Sequence, residues 1–308
     1  MKSDDRGRHH HIVNALSQPP WASKALGDDP ARMLESIHRG LTVDSIATER
    51  AKFETCAADE ALAVVIERNR SNAFDFLPVT EPEPGTPATS ARIIGLLEIV
   101  PYVHGKEPQG DVRETMRPLS EENLIGADAS IITFLRNADH QRCRLVISGP
   151  EISGLVTLSD LQQLPVRAAL FAMVTQLEMI MASWIRAEFG NSDGWMERLS
   201  KERQLKVHEK AATAKSDDGF VELLLFTQFG DKVAIIKKSP VFGWTKGSFK
   251  SELDQVQNLR DDLAHANDYA ATRAAEIRTC ETVRLIEMWI DRLSAWPQSP
   301  SGAKRNRI

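Results

Sequence analysis

The chain has 308 residues, enough for two or three domains that each bury their own core. A hydrophobic share of 42% and a charged share of 26% exclude a fibrous or wholly disordered protein. A formal charge of −5 excludes coating of nucleic acid by bulk electrostatics and confines any RNA contact to a local site.

Residues 1–40, with Pro19-Pro20 and Asp28-Asp29-Pro30, read as a leader with one short helix over Ala31–His38. The His9-His10-His11 run within it reads as a polar tail, not a metal site. The start lacks the apolar core of a secretory signal, and no apolar run reaches the ~18 residues that span a bilayer, so a cytoplasmic protein without a membrane partner is expected. Cys56, Cys143 and Cys280 lie far apart without CxxC pairing, which argues against a disulfide framework or structural zinc.

Between residues 41 and 165 one order of elements occurs twice. The first copy reads as a helix over Asp59–Glu67, a strand over Phe74–Thr80, a Pro/Ser/Thr-rich loop and a strand over Ile93–Leu97. The second reads as a helix over Asp128–Leu135, strands over Arg144–Ser148 and Ser153–Thr157, and a helix opening at Ser159-Asp160. The repeat unit is roughly sixty residues.

From Pro165 onward the pattern is helical. Val166–Phe189 is apolar at helical spacing and stops at Gly190, and Trp195–Glu209 reads as a second helix. Gly219–Phe229 reads as a further helix, although Phe220–Phe226 alone fits helix or strand; Gly230, Pro240 and Gly243 read as breaks. Ser248–Ala270 and Ala274–Trp296 are two more long helices, giving a four- or five-helix domain over 166–296 with a tail at 297–308. The first of these helices is too continuously apolar for one small bundle to cover, which predicts a homodimer.

The segment Gly154-Leu155-Val156-Thr157-Leu158-Ser159-Asp160 brings a hydroxyl and a carboxylate together where a strand gives way to a helix. Those groups suit the hydroxyls of a ribose, and backbone amides at the helix start suit phosphate. Ser159-Asp160 also reads as a plain helix cap, which is compatible with binding. The matching segment of the first copy, Gly95-Leu96-Leu97-Glu98-Ile99-Val100-Pro101, lacks both groups, so one competent and one degenerate site are expected. On these residues the repeat resembles the cystathionine-β-synthase (CBS) domain, a regulatory fold that works as an intramolecular pair. The resemblance implies an α+β fold, a tandem CBS pair of βαββα repeats over 41–165, with Gly154, Thr157 and Asp160 holding an adenine nucleotide as regulatory ligand.

The second motif is Gln257-Asn258-Leu259-Arg260-Asp261-Asp262-Leu263-Ala264-His265. With Leu263 at the centre of a buried helical face, Val256, Leu259, Ala266 and Ala270 fall within ~60° of it, while His265 and Asp261 lie nearly opposite and next to each other. Asp261 is thereby placed to accept a hydrogen bond from His265. Arg260 is on the flank, so a site using both Arg260 and His265 is easier to build across a two-fold axis. Arginine, a polar residue, three more and then histidine, late in a helical domain, resembles the HEPN (higher eukaryote and prokaryote nucleotide-binding) family.

That resemblance implies an all-α HEPN-like bundle and a metal-independent endoribonuclease of the toxin or antiviral-defence type. It implies a homodimer acting on RNA, with Arg260, His265 and Asp261 catalytic, no cofactor for catalysis and a 2′,3′-cyclic phosphate product. Two other readings stand beside it: an adenylate-sensing module that signals through protein partners, and a purely structural helical dimer. Lys201, Arg203, Lys206, Lys237, Lys238, Lys246 and Lys250 supply either a basic groove for RNA or ordinary surface.

Overall fold

A computed structural model describes residue 37 and residues 39–82, 91–190, 192–216, 222–239 and 248–295. The histidine run, most of the expected Ala31–His38 helix, Gly219, Pro240, Gly243, Lys246 and the tail lie outside these residues.

The described strands are β1 (Thr48–Glu49), β2 (Cys56–Ala57), β3 (Phe76–Pro82), β4 (Ala91–Glu98), β5 (Arg117–Pro118), β6 (Leu124–Gly126), β7 (Cys143–Ser148) and β8 (Glu151–Thr157). They form two four-stranded sheets, in the orders β2-β3-β4-β5 and β1-β8-β7-β6. Each sheet is an antiparallel hairpin flanked by a short parallel strand on one side and by an edge strand from the other copy on the other. The expected duplication is therefore present, with its edge strands exchanged. Both hairpins slip register at the same place, between Val79 and Thr80 and between Val146 and Ile147.

Close approach of the exchanged edges explains two glycines. A Cβ on Gly95 would lie 2.4 Å from the Arg117 carbonyl oxygen, and one on Gly154 would lie 2.8 Å from that of Thr48. Only a residue without a side chain lets the edge strand close on the hairpin.

The alternating strands bury both faces. Leu77, Val79 and Leu97 pack with Leu62 and Val65 of the helix Leu62–Asn69, while Ile93 and Leu96 pack with Cys143, Leu145 and Leu155 of the other hairpin. That helix starts later than Asp59 because Ala61 is still extended at ψ 126. The second-copy helix is Ile131–Leu135, shortened at its start because Ser130 is its cap, accepting from the Thr133 N–H at 3.1 Å.

The helical portion departs from expectation at several points. The long helix is Leu164–Phe189. It contains an 18-residue window of mean hydropathy 1.5, so the expectation that no run is long and apolar enough for a bilayer is corrected. Of that window 61% is buried within the protein, so the chain itself covers more of the helix than the dimer argument assumed. Leu164 and Phe171 remain exposed.

Trp195–Glu209 is divided between a 3₁₀ turn at Asp193–Arg198 and a helix at Lys201–Ser216, whose start is capped by the Ser200 hydroxyl. Gly230 does not break the chain: it lies inside the helix Phe229–Lys237, which opens on a reciprocal cap between Gln228 and Asp231. Ser248–Ala264 ends six residues before Ala270. The cause is Ala266, at φ 55, with the Asn267 N–H closing on the Asp262 carbonyl at 2.9 Å, the left-handed helix stop of the Schellman type. The last described helix is Arg273–Ser294.

The chain forms two compact units. Among the described residues, one comprises those within 37–171 and 259–285 and the other those within 172–258 and 286–295. Arg260, Asp261 and His265 thus belong to the unit that holds both sheets. In the other unit, Arg203 binds Asp231 with two hydrogen bonds of 2.8 and 2.6 Å, and the buried Lys232 donates to Glu178 at 2.9 Å and to the Thr227 carbonyl at 3.0 Å.

Candidate nucleotide cleft and the Arg260–His265 turn

β8 ends at Thr157, and a 3₁₀ turn, Leu158–Gln162, begins there. Its cap is Thr157 rather than Ser159: the Thr157 N–H and hydroxyl both donate to Asp160 Oδ2, at 2.7 and 3.1 Å. Asp160 Oδ1 accepts from the Gln163 amide at 2.7 Å, and the same amide nitrogen donates to the Ile46 carbonyl at 2.7 Å. A carboxylate offers about four acceptor positions, so one stays open for a ligand hydroxyl. Burial pushes the Asp160 carboxyl above its ordinary value, against the lowering effect of these hydrogen bonds.

Thr157 and Asp160 open onto a cleft of about 340 Å³. Phe53, Phe74 and Phe76 give it an apolar wall, and Lys52, Arg142 and Arg273 bring positive charge. Phe74 is set by Asn69, whose amide donates to the Phe74 carbonyl at 2.8 Å and accepts from its N–H at 3.3 Å. Gly154 lies in β8 opposite Glu49. The structure therefore brings Thr157 and Asp160 to one junction on the cleft, while Gly154 lies back in the strand and does not line it.

In the first copy Glu98 stands where Thr157 stands in the second. It is bonded to Arg117 and lies 3.7 Å from Arg142, beside a separate cleft of about 320 Å³. A carboxylate committed to two guanidiniums is not available to a ribose.

The second predicted group is arranged differently. Asp261 accepts from Arg260 Nη1 at 3.0 Å rather than from His265. His265 sits just past the helix end, exposed, and among the described residues its ring makes no hydrogen bond. Ala266 is exposed and Ala270 is buried off the helix, so the helical wheel holds only as far as Ala264. Among the described residues no side-chain hydrogen bond joins His265 to Arg260 or Asp261, although the His265 N–H donates to the Asp261 carbonyl at 3.0 Å.

This turn is pinned by groups that directly follow the nucleotide motif. Arg167 donates to the carbonyls of Asp262 at 3.2 Å, Leu263 at 3.3 Å and Asn267 at 2.7 Å. Its guanidinium also lies 4.9 Å from the centre of the Tyr269 ring, and the Tyr269 hydroxyl donates to the Leu161 carbonyl. A cation on the last carbonyls of a helix is favourable in itself.

Sequence reasoning missed Lys52, Phe53, Phe74, Arg142, Arg273 and Glu276, which meet in the cleft only through edge exchange and the return of a distant helix. The three cysteines are buried, and burial pushes each thiol up to about 12, which makes them poor nucleophiles. Among the described residues no three His, Cys, Asp or Glu side chains gather as a metal site.

No protein-family model matches this sequence, and no curated protein matches it. Solved structures similar to it include CBS-domain proteins. The CBS domain of the bacterial CNNM/CorC family Mg2+ transporter in complex with ATP is 15% identical at a TM-score of 0.35, covering 44% of this chain and 93% of that one. A hemolysin-like CBS protein of Oenococcus oeni is 13% identical at 0.33, covering 43% and 95%. A CBS protein of unknown function from Thermoplasma acidophilum is 19% identical at 0.32, covering 44% and 75%. Scores of this size transfer no residue roles to this chain.

Proposed function

We propose that this protein senses an adenine nucleotide through a CBS-type pair, with the ribose held at Thr157 and Asp160 and the base against Phe53, Phe74 and Phe76. The observation that carries this reading is the junction itself: a hydroxyl and a carboxylate with an open acceptor position, facing a 340 Å³ cleft with one aromatic wall and three cations. The first copy, with Glu98 tied to Arg117, supplies no equivalent. Calorimetry of the full chain with AMP, ADP and ATP tests it. Binding of at least one, lost in Asp160→Ala, is the expected result; no binding of any by the wild type removes the reading.

A second proposal concerns output. The exposed His265, five residues after Arg260, supports a metal-independent endoribonuclease that acts as a homodimer and is tuned by the nucleotide. In that reading a second copy completes the site. Signalling through a protein partner is the alternative output of the same sensor.

A further inference from the structure

We infer that Arg273, from the helix that follows the Arg260–His265 turn, binds the phosphate of the nucleotide in the cleft. This rests on the nucleotide reading and names a contact from outside the repeated pair. Arg273 is the first residue of the helix Arg273–Ser294 and lines the same cleft as Thr157 and Asp160.

Its two terminal nitrogens are differently placed. Nη1 lies 3.6 Å from Asp75 Oδ2, close enough for charge attraction but too far for a hydrogen bond. Nη2 is buried and has no hydrogen-bond partner. A buried guanidinium nitrogen is costly without an acceptor, and a phosphate oxygen in the cleft would supply one. Of the other two cations of the cleft, Lys52 binds Glu49 at 2.9 Å and Arg142 lies 3.7 Å from Glu98, much as Arg273 Nη1 lies 3.6 Å from Asp75; what sets Arg273 apart is its buried nitrogen without a hydrogen-bond partner.

The planar fork of an arginine matches two phosphate oxygens at once, and the positive end of the helix dipole reinforces the attraction. The carboxylates of Glu54, Asp75, Asp160 and Glu276 outnumber the three cations in the cleft lining, which disfavours a long polyphosphate. A nucleoside monophosphate is the fitting class. Arg273 also lies in the Leu259–Leu285 segment that carries Arg260 and His265, so phosphate occupancy bears directly on that segment.

Calorimetry of the full-length protein with AMP and with adenosine separates the outcomes. Arg273→Ala is expected to weaken AMP on the order of 10- to 100-fold while moving adenosine less than about twofold. Arg273→Lys should recover part of the AMP affinity, and Asp75→Asn should tighten AMP by releasing the guanidinium. AMP affinity unchanged in Arg273→Ala, or adenosine weakened as much as AMP, overturns the assignment while leaving the nucleotide reading intact. Wild type binding neither ligand removes both. Should Arg273→Ala not fold, Asp75→Asn carries the test, and AMP affinity unchanged in that variant overturns the assignment.

Discussion

Asp160 Oδ2 accepts both the backbone N–H of Thr157, at 2.7 Å, and its hydroxyl, at 3.1 Å. Cap and candidate ribose clamp are thus the same pair of residues. Asp160→Ala is expected to lose about 1 kcal/mol in urea denaturation, the ordinary worth of a helix cap, together with nucleotide binding. Because burial raises the Asp160 carboxyl, its contribution to stability is fully present below its ordinary value and declines as pH rises through the raised value. Asp160→Asn should remove that decline. A stability profile across the mildly acidic range that is the same in both proteins would refute this.

Gly95 and Gly154 make matched predictions. A methyl at either meets a carbonyl oxygen of the exchanged edge strand, 2.4 Å away at Gly95 and 2.8 Å at Gly154. Both are fixed backbone, so Gly95→Ala and Gly154→Ala should each destabilise by about 1–3 kcal/mol, Gly95→Ala more. Denaturation midpoints of the two variants check the order; equal stability to wild type would mean that the edges do not close as described.

How legible this was in the sequence depended on distance along the chain. The four hairpin strands were readable because Phe74–Thr80, Ile93–Leu97, Arg144–Ser148 and Ser153–Thr157 carry their own apolar pattern, and β3, β4, β7 and β8 fall there within a few residues. The two-residue strands β1, β2 and β5 were invisible, because their pairing is set by the partner hairpin. Thr157 and Asp160 are near neighbours in sequence, so their meeting at the cleft is legible there; Lys52, Phe74, Arg142 and Arg273 carry no local signature. Helix ends failed where a non-glycine stop acted: Ala266 adopts φ 55 without the glycine that usually announces it.

That stop gives its own prediction. An alanine in the left-handed region costs roughly 1–2 kcal/mol relative to glycine. Ala266→Gly should therefore stabilise the protein by about 0.5–1 kcal/mol, after the extra freedom of glycine in the unfolded chain is deducted. Urea denaturation reads it directly, and a loss of stability would contradict the assigned turn.

Arg284 binds Asp139 with two hydrogen bonds of 2.9 and 2.7 Å and also donates to the Arg136 carbonyl at 2.7 Å. Burial pushes the Asp139 carboxyl up, and the hydrogen bonds and charge of Arg284 outweigh it, so the net shift is downward. The sign follows: this pair's stability is present above the ordinary aspartate value and is lost as pH falls through the lowered one. Arg284→Ala strands a carboxylate whose side chain is only 5% exposed and should cost about 2 kcal/mol at neutral pH. Its deficit should shrink as the pH drops toward the acid limb, measured by thermal melts at stepped pH. A deficit independent of pH would mean that the pair is not the cause.

The proposed ribonuclease output is the most exposed to test. RNA cleavage without metal needs a proton acceptor for the 2′-hydroxyl, a donor to the leaving oxygen and positive charge on the phosphate. His265 is accessible for proton transfer, and Arg260 is the neighbouring cation, held by Asp261 at 3.0 Å. His265→Ala should lose ~10²–10⁴-fold of cleavage rate while remaining folded, since the ring makes no hydrogen bond among the described residues. Arg260→Ala should be similarly weak. Asp261→Ala separates two roles: if Asp261 only restrains Arg260, activity should persist or rise, whereas an orienting role toward His265 would lower it. Gel assays on single-stranded RNA with and without EDTA and AMP, together with light scattering for the dimer, provide the measurements. Cleavage that disappears with EDTA, or survives intact in His265→Ala, defeats the mechanism; a wild type that cuts nothing under any of these conditions leaves signalling through a protein partner as the output of the nucleotide sensor.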